Sequence, residues 1–278
     1  MTQQAPFELH LSVKQAAPAI ELLQQHCQLS KQQLKQVMHK GAVWLTTGNK
    51  TQRLRRAKKE LTIGQELHLY YNSDALSDAF TPPQLVADLQ EYSVWYKPCG
   101  MMSQGSKWGD HSTVARFAEV NLTPQRPAFI VHRLDRATHG LILIAHSKKA
   151  VRELTQLFEQ RLINKKYQAV VKGQFGEAQE FNQEIDGRSA YTKVTELCYH
   201  PDMKASLVDV EIGSGRKHQI RRHLSEAGWP LIGDRLYGGD DTATTNLQLC
   251  AYELRFDCPL TLKKQHFNVQ PQLIITKD

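Results

Sequence analysis

The sequence predicts an α+β protein built from a small basic domain over residues 1–72, a linker over 73–84 and a larger domain over 85–278. Three observations predict this. Strand-like and helix-like segments follow one another without regular β-α-β alternation. Charge is uneven: residues 1–72 hold ten Lys+Arg and four Asp+Glu, so +6 of the chain's net +7 sits there. A polar stretch from Asn72 to Thr81 then ends in Pro82-Pro83, which cannot continue a helix.

The 278 residues are 41% hydrophobic, enough for a sizeable core and too many for a disordered chain. No run approaches the roughly 18–20 apolar residues that cross a bilayer. Met1 to Pro6 lack the basic start and apolar stretch of a signal peptide. The five cysteines are scattered without a C-x-x-C, which argues against a disulfide framework or a zinc ribbon. The expectation is a soluble, cytoplasmic chain with reduced thiols.

Within the basic domain, a helix is expected around Ile20, Leu22 and Leu23. Ser30 and Gln33 read as a capping box, followed by the apolar stripe Leu34, Val37 and Met38 and by Gly41 as a helix stop. Ala42 to Leu45 is strand-like, Gly48-Asn49 is a turn, and Leu61 to Tyr70 alternates as strands do around a further turn. Lys31–Lys59 contains nine basic residues and no acidic one. That distribution fits a polyanion-binding attachment, with a solvated charged face as the alternative. Over roughly residues 8–72 the order of elements resembles the S4 RNA-binding fold, apart from Thr47-Gly48-Asn49-Lys50, where that family often has Asn-Gly directly after the strand. The resemblance makes Lys35, Arg53, Arg55 and Arg56 candidate RNA contacts.

In the larger domain, Leu141 to Ala145 reads as a strand buried on both faces. Ser147 caps a helix with the stripe Val151, Leu154, Leu157, Phe158 and Leu162. Tyr167–Val171, Leu207–Ile212 and Leu247–Ala251 are further strands, and Ile220, Leu224 and Ala227 fit a short helix stopped by Gly228 and Pro230. No G-x-G-x-x-G or G-x-x-x-x-G-K occurs, which argues against a dinucleotide or nucleoside triphosphate site.

Chemistry concentrates in two places. His132-Arg133-Leu134-Asp135-Arg136 sets one carboxylate between two arginines; positive charge nearby would keep it ionised and competent as nucleophile or base. The alternative is an ion pair that pins a loop. Gly215-Arg216-Lys217-His218-Gln219-Ile220-Arg221 delivers a glycine turn into a donor-rich helix start, fit for a phosphate or carboxylate. His132, His139 and His146 recur every seven residues, but across a turn and a strand, so a zinc site is not expected.

Taken together, His132 to Ala145 (His-Arg-Leu-Asp-x-x-Thr-x-Gly-Leu-x-Leu-x-Ala), Lys165-x-Tyr167, Gly215 to Leu224 and Gly233-Asp-x-x-Tyr-Gly238 resemble, in order, the signature of RluA-type pseudouridine synthases. Tyr96-Lys97-Pro98-x-Gly100 resembles the family's first motif, and the likeness spans about residues 90–260. His139 stands where the family usually has Ser, Tyr96 where Asn is common and Cys250 where His is frequent.

The resemblance implies a pseudouridine synthase fold with a mixed, mainly antiparallel sheet and a central RNA cleft. The implied activity isomerises uridine to pseudouridine in structured RNA, with ribosomal RNA favoured and transfer RNA possible. It also implies a monomer with no cofactor, metal or membrane partner. Asp135 would be the catalytic carboxylate, either attacking C1′ or removing the 2′ proton. Arg221 would be its basic partner, Tyr167 would stack on uracil and could assist proton removal from C5, and Arg133 would help displace the target nucleotide, with Arg216 and His218 as further RNA contacts. A uridine in a stem must be flipped out, and a planar guanidinium can fill the vacated stack. Hydrolytic glycosidases normally use two carboxylates, whereas these motifs offer one outstanding Asp. A catalytically silent RNA-binding or ribosome-assembly factor on the same fold is the alternative, and it has no need of the trio Asp135, Tyr167 and Arg221.

Overall fold

In the computed structural model, which describes residues 5–239 and 244–274, the chain divides into two units. One comprises Met1–Phe80 and Gln104–Phe117, the other Thr81–Ser103 and Ala118–Asp278.

The first unit runs β1 (Phe7–Ser12), β2 (Ala17–Pro18), α1 (Ala19–His26), α2 (Lys31–His39), β3 (Val43–Thr47), β4 (Lys50–Arg53), β5 (Glu60–Leu61) and β6 (Glu66–Tyr71). Helix α2 starts where the capping box predicts: Gln33 N donates to Ser30 Oγ at 3.3 Å and Ser30 N to Gln33 Oε1 at 2.8 Å. Its stripe Leu34, Val37 and Met38 is buried against Val43, Leu45, Leu67 and Leu69 of an antiparallel sheet in the order β1-β6-β3-β4. Residues expected to form a linker are partly anchored here. Leu76 is buried in this core, and Lys40 Nζ donates to Leu76 O at 2.6 Å and Asp78 Oδ2 at 2.8 Å.

Residues 104–117, distant in sequence, also belong to this unit. Asp110 accepts from Arg55 Nη2 at 2.6 Å and lies 3.1 Å from Arg53 Nε, while its N–H donates to Lys40 O at 3.0 Å. Trp44 Nε1 donates to Lys107 O at 3.1 Å, and Lys107 pairs with Glu8 at 2.6 Å. Arg53 donates further to Gly41 O and Ser106 O, and Arg55 to His39 O. Arg53 and Arg55, candidate RNA contacts in the sequence, thus both clamp a distant segment of their own unit. Lys35 and Arg56 remain exposed, and their side chains have no ion pair among the described residues.

The second unit holds β7 (Gln84–Asp88), β8 (Tyr92–Lys97), β9 (Phe129–Ile130), β10 (His139–Ala145), α4 (Lys148–Glu159), β11 (Asn164–Lys172), β12 (Gln179–Phe181), β13 (Thr192–His200), β14 (Ala205–Ile212), α5 (Gln219–Glu226), β15 (Leu249–Asp257) and β16 (Lys264–Asn268). Helix α3 (Val114–Asn121) crosses the boundary between the units. One sheet runs β12-β13-β14-β11-β15-β10-β8-β7, with β16 beside β15 and β9 beside β10. Among the described residues its pairings are antiparallel except β10 with β15, which gives the expected mixed, mainly antiparallel sheet. Strand β10 is buried at all seven positions. Ser147 Oγ caps α4 by accepting from Ala150 N at 3.1 Å, and Leu154 packs with Leu141, Leu143 and Phe256. Leu162 leaves the expected stripe because α4 ends at Glu159 and Arg161 takes φ 59°, turning the chain; Leu162 is exposed. No helix among the described residues is long and apolar enough to cross a membrane.

Candidate active site

Asp135 stands on a turn that its neighbours pin from both sides. The Ser103 hydroxyl accepts from Leu134 N at 3.1 Å and donates to Leu134 O at 2.8 Å. On the other flank, Gly100 N donates to Arg136 O at 2.8 Å and Arg136 Nε returns a bond to Gly100 O at 3.0 Å. Thr138 N closes the turn onto Asp135 O at 3.1 Å. Beneath it, the fully buried Lys97 donates to Met101 O, Pro98 O and Arg136 O at 2.8, 3.1 and 3.3 Å. Burial pushes the Lys97 ammonium down to about 7, against the pull of Cys99 and Asp135. With the backbone held at so many points, the Asp135 side chain is presented half-buried, 31% exposed.

The arginines beside it in sequence are not its partners. Arg136 turns to Gly100, and Arg133 is exposed with no hydrogen bond or ion pair among the described residues. His132 is structural: Nε2 accepts from Leu143 N at 2.9 Å, and the ring stacks on Phe158 with centroids 4.2 Å apart. Burial and Lys165 push His132 down to about 3, so it is neutral.

Tyr167 lies on β11, where the pairing with β15 shifts register between Lys166 and Tyr167. Such a bulge re-aims side chains. Tyr167 is 8% exposed, and its hydroxyl has no hydrogen bond among the described residues. Burial, with Asp135 and Cys250 adding to it, pushes the phenol well above its usual range, so it remains protonated. The parallel pairing of β10 with β15 depends on Gly140, which takes φ 119°. A Cβ there would lie 2.2 Å from Ala251 O.

Helix α5 begins beside a fully bonded glutamine. Gln219 Oε1 accepts from Ser214 Oγ at 2.7 Å and Arg216 N at 3.1 Å, and Nε2 donates to Tyr191 O at 2.8 Å. Further along the helix, Arg221 Nε and Nη2 each donate at 2.7 Å to the two oxygens of Asp234. Asp234 is buried and also accepts from Leu236 N and Tyr237 N. Burial pushes its carboxyl up, but Arg221 and the backbone bonds outweigh this and hold it below the usual range. The carboxylate bonded to Arg221 is thus Asp234, while its interaction with Asp135 acts through space. A titratable side chain within 4 Å of the Asp135 carboxylate is His218, whose Nε2 is 3.9 Å from Oδ2. Arg216 directs Nε to Ser189 O at 3.1 Å.

Asp135, Tyr167, Arg221 and His218 therefore share one electrostatic neighbourhood. Lys35 and Arg56 belong to the other unit. Sequence reasoning singled out no role for Lys97, Ser103, Asp234 or Tyr237. The last two lie in Gly233-Asp-x-x-Tyr-Gly238, a motif whose spacing marks them once a partner such as Arg221 is considered.

A family model described as RNA pseudouridylate synthase matches residues 91–226. The tRNA pseudouridine synthase C of Haemophilus ducreyi is 32% identical over 202 residues, 60% of this chain and 82% of that protein. The dual-specificity RNA pseudouridine synthase RluA of Pasteurella multocida is 35% identical over 158 residues, covering 50% and 72%. The ribosomal large subunit pseudouridine synthase D of Yersinia pestis is 30% identical over 205 residues, covering 65% and 62%. In fold, human RNA pseudouridylate synthase domain containing 1 superposes with a TM-score of 0.57 at 19% identity, over 70% of this chain and 86% of that one.

Proposed function

The chain belongs to the RNA pseudouridine synthase family, isomerases that act on RNA, and from that premise we propose that Asp135 is its catalytic carboxylate. The reaction breaks N1–C1′, turns the uracil and joins C5 to C1′. The hydrogen of C5 leaves as a proton and N1 gains one, so neither an oxidant nor a group donor is needed. One observation carries the assignment: Asp135 is half-buried on a pinned turn, while the other motif carboxylate, Asp234, is locked by Arg221 and two backbone N–H groups. A hydrolytic pair of carboxylates would need both to be free.

Tyr167 supplies a buried, protonated aromatic face for the uracil rather than a phenolate base, a reading supported by its raised pKa. Arg133, exposed and without an ion pair among the described residues, is available to occupy the stack left by a flipped nucleotide. Arg221 orients Asp234 and the Tyr237 ring and acts on Asp135 by its field. Arg216 and Lys217 lie in the turn before α5, where they suit the flanking phosphates. The first unit is an S4-like docking module, supported by its α1-α2 pair and by Lys35 and Arg56 on an exposed basic surface. The five unpaired cysteines fit the cytoplasm.

The substrate is structured RNA. The relatives' names include ribosomal, transfer and dual specificity; an S4-like module favours ribosomal RNA. Pseudouridine mapping of total RNA from cells with and without the protein tests this. Loss of a modified position in ribosomal RNA is expected. Loss confined to transfer RNA would overturn the preference, and an unchanged map would overturn the activity.

A further inference from the structure

The residue that opens α5 is a histidine in a left-handed conformation. His218 takes φ 56° and ψ 27°, which a side chain with a Cβ adopts only where its surroundings over-determine it. Its ring lies between two partners. Nδ1 is 3.0 Å from the Tyr237 hydroxyl, and Nε2 is 3.9 Å from Asp135 Oδ2. Tyr237 is fixed in turn. Its ring meets the imidazole edge-on at 74° and lies 5.0 Å from the Arg221 guanidinium carbon, and its carbonyl accepts from Ser225 Oγ at 2.7 Å. A phenol that donates to Nδ1 leaves the proton of a neutral imidazole on Nε2, the nitrogen that faces Asp135.

We propose that His218, held in the Nε2–H tautomer by Tyr237, is a positioning residue for Asp135 rather than a contact to RNA. Its Nε2–H dipole faces the carboxylate and orients it without exchanging a proton with the substrate. The proposal rests on the reading of Asp135 as the catalytic carboxylate. The other charged groups that act on the ring are Asp234, Arg221 and Lys217. Burial is the largest influence and lowers the histidine's pKa; Asp135 raises it, and Arg221 and Lys217 lower it again. The ring is therefore neutral near pH 7 and gains a proton only on acidification. The imidazolium then pairs with the carboxylate and opposes its action as base or nucleophile, so the rate falls on the acid side as His218 titrates.

The test uses the full chain and its RNA substrate, with single-turnover rates at saturating RNA measured from about pH 5 to 9, a range that brackets histidine titration. His218→Ala should slow the chemical step by about tenfold or more with RNA affinity unchanged. His218→Gln keeps an N–H donor, so it should recover part of the rate and lose the acid-side titration. Tyr237→Phe should slow the step and weaken the tautomer preference. Imidazole nitrogen NMR reports that tautomer and the ring's pKa with no turnover at all: Nε2–H in the wild type, a mixture in Tyr237→Phe, and a lower pKa in Asp135→Asn. A His218→Ala protein with wild-type rate and pH profile but weakened RNA affinity would overturn the proposal, as would an Nδ1–H tautomer. Full turnover by Asp135→Asn overturns the premise instead, and it is read from a different variant.

Discussion

Lys97 donates to the carbonyls of Pro98, Met101 and Arg136 and so joins the loop after β8 to the turn that carries Asp135. Lys97→Met would leave these acceptors without their donor, and unfolding experiments should show a loss of about 2 kcal/mol or more. The pH dependence has a definite sign. The lysine sits near 7 when folded and in its ordinary, higher range when unfolded. Between those values the unfolded chain binds more protons, so stability rises with pH from about 7 upward, a slope that Lys97→Met should remove. Arg221→Lys keeps the charge but cannot hold Asp234 through two parallel bonds. It should lower the melting temperature and slow single-turnover chemistry while RNA binding persists. The motifs draw attention to Arg221 and Asp135, yet which carboxylate Arg221 bonds is not legible in them. Asp234 lies thirteen residues after Arg221, beyond the end of α5, and the spacing alone does not say that the chain folds back to bring its carboxylate within 2.7 Å.

Elements with local determinants are the readable ones. The Ser30–Gln33 box, the Ser147 cap and the continuous apolar run of β10 each carry their signal within a few residues, and α2, α4 and β10 form where that signal lies. Strands β8 and β13, and the extension of β15 to Asp257, depend on register with partners far along the chain, and no local pattern singles them out. The bulge at Lys166/Tyr167 has the same origin, since neither strand alone encodes it. Gly140 is the element-scale test. Its φ of 119° and the 2.2 Å approach of Ala251 O exclude a methyl group. Gly140→Ala should therefore cost roughly 3 kcal/mol or more and shift the β10–β15 pairing, measurable as a lowered denaturation midpoint.

At the scale of the whole molecule, the charge asymmetry read from composition divides into two jobs within the first unit. Arg53 and Arg55 hold residues 104–117 through Asp110, whereas Lys35 and Arg56 are exposed, with no ion pair among the described residues. Composition could not separate the two groups, because Asp110 lies outside the basic stretch. Lys35→Gln with Arg56→Gln should weaken RNA binding and flatten the dependence of log affinity on log salt, by about 0.7–0.9 for every phosphate no longer neutralised, with melting unchanged. Arg53→Gln should instead lower the melting temperature. The chemistry assigned to Asp135 offers a direct readout: joining C5 to C1′ releases the C5 hydrogen to water. RNA labelled with tritium at C5 of uridine should therefore release tritium with the wild-type chain. With a folded Asp135→Asn protein that still binds the RNA, release should fall to background. Tritium release by Asp135→Asn at the wild-type rate would contradict the account.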